Sequence, residues 1–115
     1  MTRSVALYVK DIIQNMLDAE EFIHGFSYEA FISDKKTFNA VVRSIEVIGE
    51  AVKNIPDGVR NIYPDVPWKE MAGMRDKLIH FYFGVDPEAV WITVKERIST
   101  IRPIFEQILR DLEKD

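Results

Sequence analysis

Val41-Val42-Arg43-Ser44-Ile45-Glu46-Val47-Ile48-Gly49-Glu50-Ala51-Val52-Lys53-Asn54-Ile55 decides the fold. Val41, Ile45, Ile48, Val52 and Ile55 recur at spacings of four and three, which places them on one face of an α-helix. A strand would alternate with period two, and no convincing alternation of that kind occurs anywhere in the chain. The stripe predicts a long helix over 34–54, ended by Pro56, Asp57 and Gly58.

The same period extends outward in both directions. Val9, Ile12, Ile13, Met16 and Ile23 predict a first helix over 3–24, with Gly25 as its stop. Residues 26–33 read equally well as a short helix or a loop. Residues 56–67 hold three prolines and one glycine and read as a loop. A third helix is expected over 68–83, closed by Gly84. Asp86 followed by Pro87 is a helix start, because the carboxylate can accept from a free backbone N–H and proline lacks a donor where none is needed. Val90, Val94, Ile98, Ile101, Phe105, Ile108 and Leu112 then form a last stripe, with Pro103 inside it as an expected kink. The expectation is one all-α domain over 1–115, an antiparallel bundle of four long helices. Stripes of this strength can also bury a face in a partner chain.

Composition limits what such a bundle does. The chain has 115 residues, 47% hydrophobic and 30% charged, a globular rather than a disordered profile. It has no cysteine, which removes disulfides and thiolate metal sites. No apolar run is long enough to span a bilayer, and no signal peptide is legible, so a cytoplasmic protein is expected. The net charge of −4 argues against a strong non-specific nucleic-acid binder. Residues 35–80 nevertheless hold eight Lys/Arg and six Asp/Glu, so a local phosphate site is compatible with the charge distribution.

Chemistry concentrates in Arg75-Asp76-Lys77-Leu78-Ile79-His80-Phe81-Tyr82. His24, the other histidine, falls at the end of the first helix, where a cation complements the helix dipole, and reads as structural. A neutral imidazole takes or gives a proton near neutral pH, and a guanidinium grips phosphate with two hydrogen bonds. RNA carries its own nucleophile, the 2′-hydroxyl, so His80 and Arg75 are a sufficient kit for cleavage without a metal. Asp76, four residues before His80, can orient it. Phe81, Tyr82 and Phe83 can stack a base, although Phe81 and Phe83 also suit the core. One histidine with Asp76 is too small a set for zinc, and no phosphate-binding glycine loop exists. At about 100° per residue, Arg75 and Tyr82 lie within about 20° of each other, whereas His80 is about 140° from Arg75. Arg75 must reach across, the helix must distort, or a second subunit must complete the site.

These residues resemble a known family. Arg75-x4-His80-x-Tyr82 matches the R-x4-6-H-x-Y signature of the HEPN class, in its HepT-like branch. The Arg43–Ala51 stretch resembles that branch's second-helix motif. Val66-Pro67-Trp68, Gly73 through Leu78, Tyr82 through Asp86 and Val90-Trp91 continue the pattern, so the resemblance covers about residues 5–110. It implies a homodimeric HEPN bundle with its motifs at a shared cleft. The implied activity is that of a metal-independent endoribonuclease, the toxin of a toxin–antitoxin pair. Its products would end in a 2′,3′-cyclic phosphate. The antitoxin would be a minimal nucleotidyltransferase that silences the toxin by transferring AMP to Tyr82. Arg75 and His80 would then be catalytic, Asp76 supporting, and no cofactor or metal is implied. Relatives often carry asparagine at the Asp76 position and glycine at the Phe81 position. A non-catalytic helical dimer that binds a nucleotidyltransferase is the alternative. Arg43, Glu46 and Glu50 are either a structural ladder or a second layer behind the cleft. Gly49, costly in mid-helix, suggests a close helix–helix approach.

Overall fold

The structure, a computed structural model, describes residues 4–80 and 86–114, with the backbone alone at Arg75, Leu78, Ile79 and His80. All regular structure among these residues is helical: α1 (Val5–Phe22), α2 (Tyr28–Ser33), α3 (Lys35–Lys53), α4 (Asp57–Arg60), α5 (Trp68–His80), α6 (Pro87–Ile92), a π-helical segment (Thr93–Ile98) and α7 (Ser99–Leu112). The expected all-α bundle is therefore observed, with two short helices added to the four long ones.

Side-chain caps set most of the boundaries. Ser4 Oγ accepts from the Leu7 N–H and starts α1; Gly25, at φ 82°, turns the chain just after it. Within the ambiguous stretch 26–33, Tyr28–Ser33 forms α2: Ser27 Oγ accepts from the Ala30 N–H and Phe31 buries its whole ring. Asp34 ends α2 and begins α3, taking the Thr37 N–H at 3.1 Å. The expected loop over 56–67 contains α4, which Pro56 precedes in extended geometry rather than prevents. Asp86 caps α6 through the Glu88 N–H at 2.9 Å, with Pro87 at its first turn, as the sequence predicts.

The last stripe departs from expectation at one point. A π turn over Thr93–Ile98 interrupts the expected helix, and Pro103 lies inside the α7 that follows it. Pro103 has no N–H for the carbonyl of Ser99, the residue at which the π turn gives way to α7. Both misfits fall at one junction, where Ser99 and Thr100 hydroxyls donate to the Glu96 carbonyl at 3.1 and 2.8 Å.

One hydrophobic cluster joins the stripes. Val9, Ile12 and Met16 of α1 meet Val41, Ile45 and Val52 of α3, and Val94, Phe105 and Ile108 close the far side. Phe105 is fully buried, and Trp68 meets it edge-on at 5.5 Å between ring centroids. Phe31 sits between Phe38 and Trp91 at 5.4 and 5.2 Å. α1 and α7 run antiparallel: Lys10 pairs with Glu113 at 3.6 Å, and at the other end Arg102 grips Glu20 at 2.6 and 3.4 Å.

The loops are tied down by polar contacts. Arg60 donates to the Val52 and Ile55 carbonyls at 2.7 and 2.9 Å, closing the end of α3, while its guanidinium lies 5.8 Å from the centre of the Trp68 ring. Tyr63 donates its hydroxyl to Asp111 at 2.6 Å, fastening the loop before α5 to α7. No helix among the described residues is long and apolar enough to cross a membrane.

Candidate functional site

Helix α5 carries the motif. It is anchored at its start by Trp68, buried, whose indole N–H donates to the Tyr63 carbonyl at 3.0 Å. From there the backbone is α-helical without interruption to His80. Arg75 and His80 both lie on this continuous helix, so the separation of about 140° between them stands. Distortion near the end of the expected helix, one of the three routes open from spacing alone, concerns residues beyond His80, which lie outside the described residues. Their side chains lie outside the described residues, as do Phe81, Tyr82, Phe83 and the expected helix stop at Gly84.

α5 packs chiefly on α3. That packing gives Asp76 a partner on α3. Its carboxylate faces α3 and takes Lys53 Nζ at 2.9 Å, with both side chains partly open to solvent. The expected orienting role toward His80 concerns a side chain outside the described residues. The Lys53 pairing nonetheless changes the electrostatics of the motif. A bare carboxylate beside Arg75 would repel a phosphate; here a lysine ammonium offsets it. Lys53 stands 23 positions before Asp76, so no local spacing rule could have connected them.

The second-helix motif lines a neighbouring polar pocket. Arg43, Glu46 and Glu50 of α3 face Tyr8 and Asp11 of α1, with Asn54 at the end. No ion pair joins Arg43 to Glu46 among the described residues, so the ladder reading of this motif loses its first rung. Ser44 and Gly49 are buried on the same helix, Ser44 the one buried polar side chain among the described residues. His24 is exposed in the turn after α1. Among the described residues no group of three or more His, Asp or Glu gathers as a metal-ligand set.

Comparison with known proteins identifies the class. A family model described as ribonuclease HepT-like matches residues 12–108. A "Probable ribonuclease HepT" of Thermococcus cleftensis is 49% identical over 108 residues, covering 94% of this chain and 98% of its own. A chain of Methanocaldococcus jannaschii, provisionally named an RNase, is 50% identical over 111 residues, 96% of this chain and 92% of its own. Another so named, from Caldanaerobacter subterraneus, is 45% identical over 103 residues, 90% of this chain and 92% of its own. No solved structure matches the chain. The chain belongs to the HepT-like ribonuclease family, as the motif resemblance implied.

Proposed function

We propose that this protein is a metal-independent endoribonuclease that works as a cytoplasmic homodimer. The observation that carries the reading is the R-x4-H-x-Y motif of a HepT-like chain, with Arg75 and His80 on one unbroken helix. In the reaction, the 2′-oxygen of a nucleotide attacks the adjacent phosphorus. The O2′–P bond forms and the P–O5′ bond breaks, leaving a 2′,3′-cyclic phosphate and a free 5′-hydroxyl. A neutral His80 takes the 2′-hydroxyl proton, and a protonated imidazole returns one to the leaving oxygen. Arg75 balances the charge that builds on the phosphate oxygens. The angular separation of Arg75 and His80 favours a cleft between two copies, where two imidazoles and two guanidiniums can share these tasks.

The family's control arrangement acts on the same sequence motif. In this reading the protein is the toxin of a toxin–antitoxin pair, and a minimal nucleotidyltransferase is the antitoxin. Transfer of AMP from ATP to the Tyr82 hydroxyl releases pyrophosphate and adds a bulky anion two positions after His80 in the chain, where it competes with RNA phosphate.

The test is cleavage of single-stranded RNA in excess chelator. The unmodified protein is expected to cut and leave cyclic phosphate ends, and Arg75→Ala and His80→Ala to be inactive with unchanged helicity. Cleavage at the parental rate by either variant overturns its assignment, and loss of activity on chelation overturns metal independence. An inactive unmodified protein that still gains AMP at Tyr82 would make it a non-catalytic partner.

A further inference from the structure

We infer that the groove between α5 and the α6–π segment cradles the backbone of single-stranded RNA, with Lys69, Lys77 and Arg97 as phosphate contacts; this rests on the ribonuclease reading above. Among the described residues α5 packs chiefly on α3, and its other flank faces α6 and the π segment. That flank lines a groove of about 610 Å³. Lys69, Gly73 and Lys77, four residues apart, share that flank of α5, and Thr93 and Arg97 form the wall across it. Both of the latter come from the π turn. π turns recur at functional sites, and this one turns an exposed arginine into the groove.

Charge selects the occupant. The chain as a whole is acidic, yet among the described residues three cations line this groove against one carboxylate, Glu70. Glu70 only just reaches Arg97, at 4.0 Å, with both side chains mostly exposed, so the guanidinium is left largely available. An acidic chain that binds RNA must concentrate its attraction locally, and this groove does so. Lys69 and Lys77 stand about 12 Å apart along the helix axis, or about three to four nucleotide steps of a stacked strand. Gly73 lies between them, and among the described residues a side chain there would meet nothing within 4 Å. Lys77 is one helical turn before His80, so a strand following the two lysines arrives at the proposed catalytic turn. Met74 and Ile92 supply apolar surface against which a base or ribose can rest.

The test is binding of a short 2′-O-methyl RNA, which lacks the nucleophile and cannot be cut, measured from about 0.1 to about 1 M salt. Removing one phosphate-binding cation should lower the slope of log affinity against log salt by about 0.7, which is about fivefold in affinity at 0.1 M. Lys69→Gln and Arg97→Gln are each expected to show that drop. Lys36→Gln, on the exposed first turn of α3, should leave slope and affinity unchanged. An unchanged slope in both groove variants overturns the proposal. So does a shift in oligomeric state by sedimentation, which would mean that a second copy fills the groove. The uncuttable probe separates this test from the catalytic one. If Arg75→Ala and His80→Ala are dead but the slope is unmoved, the groove assignment falls alone. If the slope drops while those variants still cut RNA, the catalytic assignment falls alone.

Discussion

Asp76→Asn isolates the electrostatics of the motif, because it keeps the shape of the side chain and removes its charge. In the structure the carboxylate lies 2.9 Å from Lys53 Nζ, with the two side chains 45% and 35% exposed. At that distance two charges attract by about 1.4 kcal/mol in water-like surroundings. Holding two flexible side chains together and screening by salt reduce this to about 0.2–1 kcal/mol, the usual yield of an exposed pair. For a chain of 115 residues, with an unfolding entropy of about 2.1 cal/mol/K per residue, the change corresponds to about 1–4 °C in Tm. RNA binding should move the other way. Lys53 no longer has a carboxylate opposite it and becomes free to meet phosphate, so the salt slope for an uncuttable RNA should steepen by about 0.7, with a gain of about fivefold near 0.1 M salt. Calorimetry and fluorescence anisotropy measure the two effects separately. A fall in Tm beyond about 8 °C, or weaker RNA binding, would refute this account: the first would make Asp76 a structural post, the second a group that holds RNA itself.

Three further outcomes follow from the packing. Phe105→Ala empties a fully buried site facing Trp68 and should cost about 3–5 kcal/mol in chemical denaturation. Arg102→Met breaks the two-pronged contact with Glu20 and the 3.2 Å contact with Glu106, leaving two carboxylates unopposed; a decrease of about 1–2 kcal/mol is expected by the same measurement. The hydrogen bond from Tyr63 to Asp111, with burial, pushes the tyrosine hydroxyl up to about 12. The group favours its protonated form in the fold, so its contribution is complete below about pH 10 and is lost as pH rises toward about 12. The same hydroxyl holds the Asp111 carboxyl below its ordinary value, and that contribution is lost as pH falls through the lowered value. Tyr63→Phe should remove both pH-dependent effects, read from denaturation midpoints across the pH range.

The long helices were legible because each carries an apolar stripe at helical period, and the stripes of α1, α3 and the α6–α7 run are the core that forms. The short helices were not. α2 is too brief to display a period, and α4 begins at Pro56-Asp57-Gly58, residues that signal a break and here introduce a single turn. The π turn was hidden because Val94 and Ile98 keep the spacing of an ordinary helix. At the site, the placing of Arg75 and His80 on one helix could be read from the sequence. The Lys53–Asp76 pair, the basic groove and the contacts of Arg60 could not, since each depends on which helix faces which.

The Arg60 corner has a consequence for how the chain folds. Its guanidinium binds carbonyls eight and five residues back and covers an indole eight residues ahead. α3, α4 and the start of α5 can therefore assemble at the low entropic cost of closing short loops. Closing α1 against α7 through Glu20 and Arg102 spans 82 residues. The hairpin around Arg60 should form first and the chain ends should meet last. In hydrogen exchange, α7 should open at lower free energy than α3, so that unfolding begins by releasing the C-terminal helix and leaves the helix behind the Arg75–His80 segment for last.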